Sequence, residues 1–261
     1  MEKFTLSELC ICAASEAWRD DGEVLATGIG LIPRLAASLA KLTHSPDLMI
    51  TDGEAYLVSE PVPVGRRGDY TPKIEGYMNY SRVFLNLWKG HRHAMTGPVQ
   101  IDKYGQTNIS FIGDNSKKPK AQLLGARGFP GNTINHSNSM FIPRHNKRSF
   151  VEGEVDMVSG LGYNPSRRIK GMREDFINLK IIVSNLAVLD FKGPEHQIRI
   201  KSLHPNVTLQ EVQENTGFKL IVDSENIPET PFPSENQLSI IRDFLDPENL
   251  REQALPDKRK Q

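Results

Sequence analysis

Three glycines, an arginine, two asparagines and a histidine fall within the stretch Gly125-Ala126-Arg127-Gly128-Phe129-Pro130-Gly131-Asn132-Thr133-Ile134-Asn135-His136. Glycine lets a backbone take positive φ and approach a ligand closely, and an arginine set between two glycines is a poor core residue. Its guanidinium offers a rigid fork of donors to a carboxylate, a phosphate or a developing oxyanion. If a helix begins near Asn132, the spacing places Asn132, Asn135 and His136 on one face, with backbone N–H groups at its start adding a seat for negative charge. Donors for an oxyanion beside an imidazole suit acyl or enolate chemistry. Gly125, Arg127, Gly128, Asn132, Asn135 and His136 are therefore candidate site residues. An interface ion pair for Arg127 and a structural hydrogen bond for His136 stand as the competing readings.

A second acidic group, Thr51-Asp52-Gly53-Glu54, follows directly on a strand-like run, where crevices open in α/β proteins. Asp52 and Glu54 there could act as acid, base or nucleophile, or Asp52 could cap a turn while Glu54 pairs with an arginine. Glu75, beside Gly76, is a weaker candidate for which a surface ion pair is the default. His91 and His93 flank Arg92 at a helix end and read as a solvated terminus rather than a metal site. Gly28-x-Gly30 lacks the third glycine of a dinucleotide fingerprint, its place being held by Pro33. Neither a nucleophile elbow nor a phosphate-binding P-loop occurs.

These residues need a frame, and the hydrophobic pattern describes one of alternating strand and helix. Thr5 and Glu8 form a capping box opening a helix to about Arg19. A strand over 24–27, the Gly28-Ile29-Gly30 turn, a helix over 33–42 and a strand over 48–51 then give the unit from which parallel sheets are built. Residues 60–77 read as a long irregular loop, 81–89 as a helix with Val83, Phe84, Leu87 and Trp88 on one side, and 93–100 as a strand. A hairpin turn at 102–105 leads into 108–112. Strands follow over 179–183, 186–191 and 198–200, then a helix over 208–215 capped by Thr208. The fold class is α/β, with one domain over 1–226. A Pro-rich linker, an amphipathic helix over 234–245 and a frayed tail from 254 make up 227–261, packing on that domain or on a partner.

Composition narrows the function further. The 261 residues carry 32 Lys+Arg against 32 Asp+Glu, so no net charge draws the chain to nucleic acid or to an anionic membrane. No apolar run reaches membrane-spanning length and the N-terminus lacks a signal-peptide pattern, which predicts a cytoplasmic protein. Cys10 and Cys12, the only cysteines, sit two apart in a predicted helix and read as buried thiols.

The ordered run of Gly28-Ile29-Gly30, Ser45-Pro46-Asp47, Ile101-Asp102-x-Tyr104-Gly105, Ile112-Gly113-Asp114, 125–131, His145-x-Lys147-Arg148-x-Phe150, Asp156-x-Val158-Ser159 and Glu214-Asn215-Thr216-Gly217-Phe218 resembles the β subunit of class I coenzyme A transferases of the glutaconate type. The resemblance covers nearly the whole chain. It implies an open, mostly parallel sheet flanked by helices, the CoA-transferase (NagB/RpiA-like) fold, and a thioester site shared with a homologous α subunit. Gly53 takes the place of the transferase's nucleophilic glutamate, with Glu54 one residue late, and Arg127 replaces a small residue of its glycine loop. Both departures are similar to the β subunit of IpdAB-type steroid ring-cleaving hydrolases, as are 51–55, 74–77, 131–136 and Val158-Ser159-Gly160-Leu161-Gly162-Tyr163. That second resemblance implies hydrolysis of a carbon–carbon bond in the last ring of a steroid-derived CoA thioester, in cholesterol or bile-acid breakdown, by an α2β2 assembly. The α subunit would hold the catalytic glutamate, and Arg127 would meet substrate or enolate charge. Glu54 and His136 would join it in the chemistry, with Gly125, Gly128, Asn132, Asn135, Asp52 and Glu75 shaping the pocket. No cofactor is implied, since coenzyme A belongs to the substrate. Transferase chemistry on Glu54 and a non-catalytic scaffold are the alternatives.

Overall fold

A computed structural model describes residues 4–53, 55–66, 68–223 and 226–256. It comprises two compact units, Met1–Thr96 with Pro231–Gln261, and Gly97–Thr230.

The first unit opens on α1, Leu6–Ser15, and the capping box forms as expected: Thr5 N donates to Glu8 Oε2 at 2.9 Å while the Thr5 hydroxyl accepts from Glu8 N. Every residue of α1 is buried. A 3₁₀ turn, Glu16–Trp18, carries the helix to the expected end. Burial pushes the Cys12 thiol up to about 12, so this free cysteine stays protonated. β1, Leu25–Gly28, passes through the glycine turn into α2, Leu31–Leu42. A Cβ on Gly28 would run into the Pro33 carbonyl, and Gly30 holds φ 109°, so both glycines are needed for so tight a turn. The helix starts two residues before Pro33, which still lies in the first turn, where a missing N–H costs nothing.

β2, Ile50–Thr51, β3, Tyr56–Val58, and β4, Ile74–Tyr77, then form an antiparallel sheet, so the expected loop over 60–77 ends in a strand. α3, Tyr80–Trp88, is capped by Asn79, but of its apolar residues only Leu87 is buried. β5, Arg92–Thr96, pairs parallel with β1. The Trp18 indole donates to His93 O at 3.1 Å, and the His93 ring lies 2.6 Å from an Asp21 carboxylate oxygen, inside the unit rather than in solvent as expected.

In the second unit Gly97-Pro98 ends the expected strand over 93–100 and a new strand follows. This is β6, Gln100–Ile101, in a hairpin with β7, Thr107–Asn108. Asp102 builds the turn, its Oδ1 accepting from Tyr104 N at 3.0 Å and Gln106 N at 3.1 Å. β8, Phe111–Ile112, pairs with β9, Ala121–Gln122. After α4, Phe129–Thr133, the strand β10, Ser137–Ile142, lies parallel to β11, Asn178–Ser184, and β12, Ala187–Asp190, and β13, Arg199–Leu203, continue antiparallel. α5, Leu209–Glu214, takes its cap from Thr208 as expected. Met140, Phe150, Ile182 and Leu189 centre the core of this unit.

The chain returns to the first unit with α6, Glu235–Ser239, a π-helical turn, Ile240–Leu245, and α7, Leu250–Ala254, a helix the hydrophobic pattern did not announce. These elements pack on α1 and α2. Glu8, fully buried within α1, accepts from Arg251 Nη2 at 2.9 Å and from Arg242 Nε at 2.7 Å, and Arg251 Nη1 donates to Asp246 at 3.0 Å. Among the described residues no helix is long and apolar enough to cross a membrane.

Candidate active site

Each unit carries one group of the candidate residues. In the second, Gly125 at φ 86° and Arg127 at φ 51° turn the chain twice before α4. Arg127 is exposed, and its Nε reaches Leu124 O at 3.4 Å, so the guanidinium fork faces outward. No carboxylate partner of an interface ion pair meets it among the described residues. Gly128 is the N-cap of α4.

The helix does not begin near Asn132, the condition for a shared face, but at Phe129, and it ends at Thr133. Pro130 sets that start, because proline fits only the first turn. Asn132 thus sits in the last turn, while Asn135 and His136 lie beyond it and share no helical face with it. A further irregular turn still gathers the three: His136 N reaches Asn132 O at 3.4 Å and Asn135 Nδ2 donates to Gly131 O at 2.6 Å. His136 is buried, and its Nδ1 lies 2.8 Å from Ser137 O. A carbonyl accepts only from N–H, so Nδ1 carries a proton in this contact. This is the structural hydrogen bond anticipated for His136, and it leaves the imidazole oriented.

Anchors beneath α4 explain why the loop can be both glycine-rich and ordered. Phe129 is buried against Gly160, where a Cβ would come within 2.6 Å of its ring and collide with the Thr107 hydroxyl. Leu161 N donates to Thr133 Oγ1 at 2.9 Å. The motif 158–163 therefore serves as the floor of the arginine loop.

In the first unit Asp52 is buried, accepts from Tyr56 N at 3.2 Å, and closes the turn between β2 and β3, the capping role anticipated for it. Gly53 holds φ 97°, and a Cβ there would sit 3.3 Å from Arg34 Nη1. Glu54 lies outside the described residues. Glu75 is exposed on β4. Arg34, one turn into α2 and four residues after Gly30, was missed by the sequence reading. Its Nη2 reaches the carbonyls of Asp52 at 3.5 Å and Val62 at 3.4 Å. Gly28, Gly30, Arg34, Gly53 and Gly65 line an open cleft of about 570 Å³. Among the described residues no cluster of three or more His, Cys, Asp or Glu side chains is placed to hold a metal ion.

No family model matches the chain. Curated relatives do. It is 41% identical over 257 residues to the cholesterol ring-cleaving hydrolase IpdB subunit of Mycobacterium tuberculosis (strain ATCC 25618 / H37Rv), spanning 96% of this chain and 98% of that one. Identity to a glutaconate CoA-transferase subunit of Acidaminococcus fermentans is 30% over 239 residues, covering 87% of each chain. Among solved structures, Rhodococcus jostii RHA1 IpdAB superposes with a TM-score of 0.87 at 38% identity, over 96% of this chain and 98% of that one. The glutaconate coenzyme A-transferase of Acidaminococcus fermentans, at TM-score 0.78 and 24% identity over 94% of this chain and 96% of that one, shares the fold. The chain therefore belongs to the IpdB family of cholesterol ring-cleaving hydrolase subunits, built on the coenzyme A-transferase fold.

Proposed function

We propose that this chain is the β subunit of a cytoplasmic α2β2 hydrolase that cleaves a carbon–carbon bond in the last ring of a steroid-derived CoA thioester. Water adds to a ring carbonyl, the bond to the neighbouring carbon breaks, and its electron pair passes into an enolate that takes up a proton. A carboxylate base from the homologous α subunit activates the water, and this chain holds the negative charge. Arg127 supplies the outward-facing cation. The oriented His136 and the Asn132 and Asn135 amides complete the polar wall behind it, and Gly125 and Gly128 let the backbone approach the substrate. No cofactor is required, because coenzyme A arrives with the substrate.

The observation that carries hydrolysis over CoA transfer is Gly53. The resemblance to the transferases puts their nucleophilic glutamate at this position, whereas this backbone holds φ 97°, a conformation that L side chains rarely adopt, with the Arg34 guanidinium close by. The test has two parts. Incubating the α/β complex with an acyl-CoA and trapping with hydroxylamine or borohydride should leave Glu54 unmodified; an adduct there supports the transferase. Arg127→Ala should lower kcat/KM at least about tenfold, roughly 1.4 kcal/mol of transition-state stabilisation. Unchanged turnover would instead mark the chain as a scaffold.

A further inference from the structure

Asn138, the second residue of β10, belongs to none of the motifs that carry the family resemblance, yet it is nearly fully buried directly behind the arginine loop. β10 slips register against β11 between Asn138 and Met140. Such a bulge re-aims side chains from the regular alternation of a strand, and bulges are common beside active sites. From this position the Asn138 Nδ2 donates to two main-chain carbonyls at once, Asn132 O at 3.0 Å and His136 O at 2.8 Å. Its Oδ1 meets no donor among the described residues. A buried acceptor left unpaired costs about 1–3 kcal/mol, so the amide is set by its two donor contacts against the interest of its own oxygen. α4 itself is held separately, by Phe129 on Gly160 at its start and by Thr133 accepting from Leu161 N at its end. Losing Asn138 should therefore loosen one end of the loop without unseating the helix.

We infer that Asn138 is a positioning residue for the ring-cleaving reaction: it clamps the carbonyls of residues 132 and 136 and so fixes Asn132 and His136 relative to one another. The inference rests on the function proposed above. Donors that stabilise developing charge act through their prior placement, and a small displacement is felt in the transition state more than in the bound ground state. The loss on substitution should accordingly fall on kcat and spare KM.

The test uses the assembled α/β complex with a CoA thioester that retains only the last steroid ring. Asn138→Asp keeps size and shape but turns a carboxylate towards two carbonyls. Burial favours the neutral acid, which again offers one donor, so activity should return in part as pH is lowered. Above neutrality Asn138→Asp should lose at least about tenfold in kcat, equivalent to ~1.4 kcal/mol, with KM within about threefold of wild type. Asn138→Ser, with one shorter donor, should fall between the two. Wild-type kcat in both variants overturns the inference, as does a loss that is independent of pH and explained by the fraction of complex assembled. If Asn138→Asp does not assemble, the kcat of Asn138→Ser decides; failure of both to assemble makes Asn138 a folding residue and also overturns it. A wild-type complex that leaves the ring intact overturns the functional reading together with this one, whereas normal cleavage by wild type and variants alike overturns this one alone.

Discussion

Arg127 and Gly53 are the two departures from the transferase pattern that the sequence singles out, and they differ in their physics. Arg127 adds charge: its fork faces outward from a turn held at positive φ, with only the Leu124 carbonyl to occupy its Nε. Gly53 removes chemistry: its backbone conformation strains any side chain, and a Cβ there would press on the Arg34 guanidinium at 3.3 Å. Restoring the glutamate should therefore not restore the transferase. Gly53→Glu is expected to cost roughly 1–2 kcal/mol through left-handed backbone strain and to give no transfer of CoA to an acceptor carboxylate. Urea denaturation and chromatographic assay of acyl-CoA products would check both, and appearance of transfer would show that the backbone adapts. Both positions could be picked out in the sequence by residue type, a glycine after a strand and an arginine between glycines. Arg34 and Asn138 could not, since neither an arginine in an apolar helix nor an asparagine among serines gives a sign of the carbonyls it will meet.

At the scale of elements, the motifs behind the family resemblance turn out to bind one another. His145 stacks on Phe150 with ring centroids 3.7 Å apart and lies 2.9 Å from the Thr216 hydroxyl, which joins the motif 145–150 to 214–218. Burial, and then His204, push the His145 imidazole down to about 3, so it stays neutral in this seat. Asp156 accepts from Gly113 N at 2.7 Å, and the Ser159 and Ser110 hydroxyls lie 2.8 Å apart. Long-range contacts of this kind fix the spacing of weak local signals, and that is why their order over the chain was informative. Strands with apolar periodicity, such as β11 and β12, were legible for the usual reason of burial. The start of α4 was misjudged because the cluster of polar residues after it outweighed Pro130, and α7 was missed because its polar sequence hides the burial of Arg251. The floor of the arginine loop yields a prediction at this scale. Gly160→Ala would push a methyl group into Phe129 and the Thr107 hydroxyl, costing about 1–3 kcal/mol by overpacking and lowering turnover as α4 shifts. Equal stability and turnover in variant and wild type would show that α4 has room to spare.

Across the whole molecule, the first unit is assembled from both ends of the chain, and the ion cluster of Glu8, Arg242, Arg251 and Asp246 joins them. Arg251 and Arg242 hold the Glu8 carboxyl below its usual range despite the opposing effect of burial, the largest single influence on it. Removing one partner of such a buried group leaves uncompensated charge, so Arg251→Met should destabilise the chain by about 3–5 kcal/mol in chemical denaturation. A change under about 1 kcal/mol would mean that the C-terminal helices are held by apolar packing alone. Family membership, fold and the two departures from transferase chemistry converge on one reaction, and the fate of the water oxygen tests it most directly. The α/β complex is incubated with the last-ring CoA thioester in ¹⁸O-labelled water, and the product is analysed by mass spectrometry. Hydrolytic ring cleavage predicts a product that gains the elements of one water, carries the label in its new carboxylate and keeps its thioester; an intact ring, with CoA moved to an acceptor acid, would contradict it.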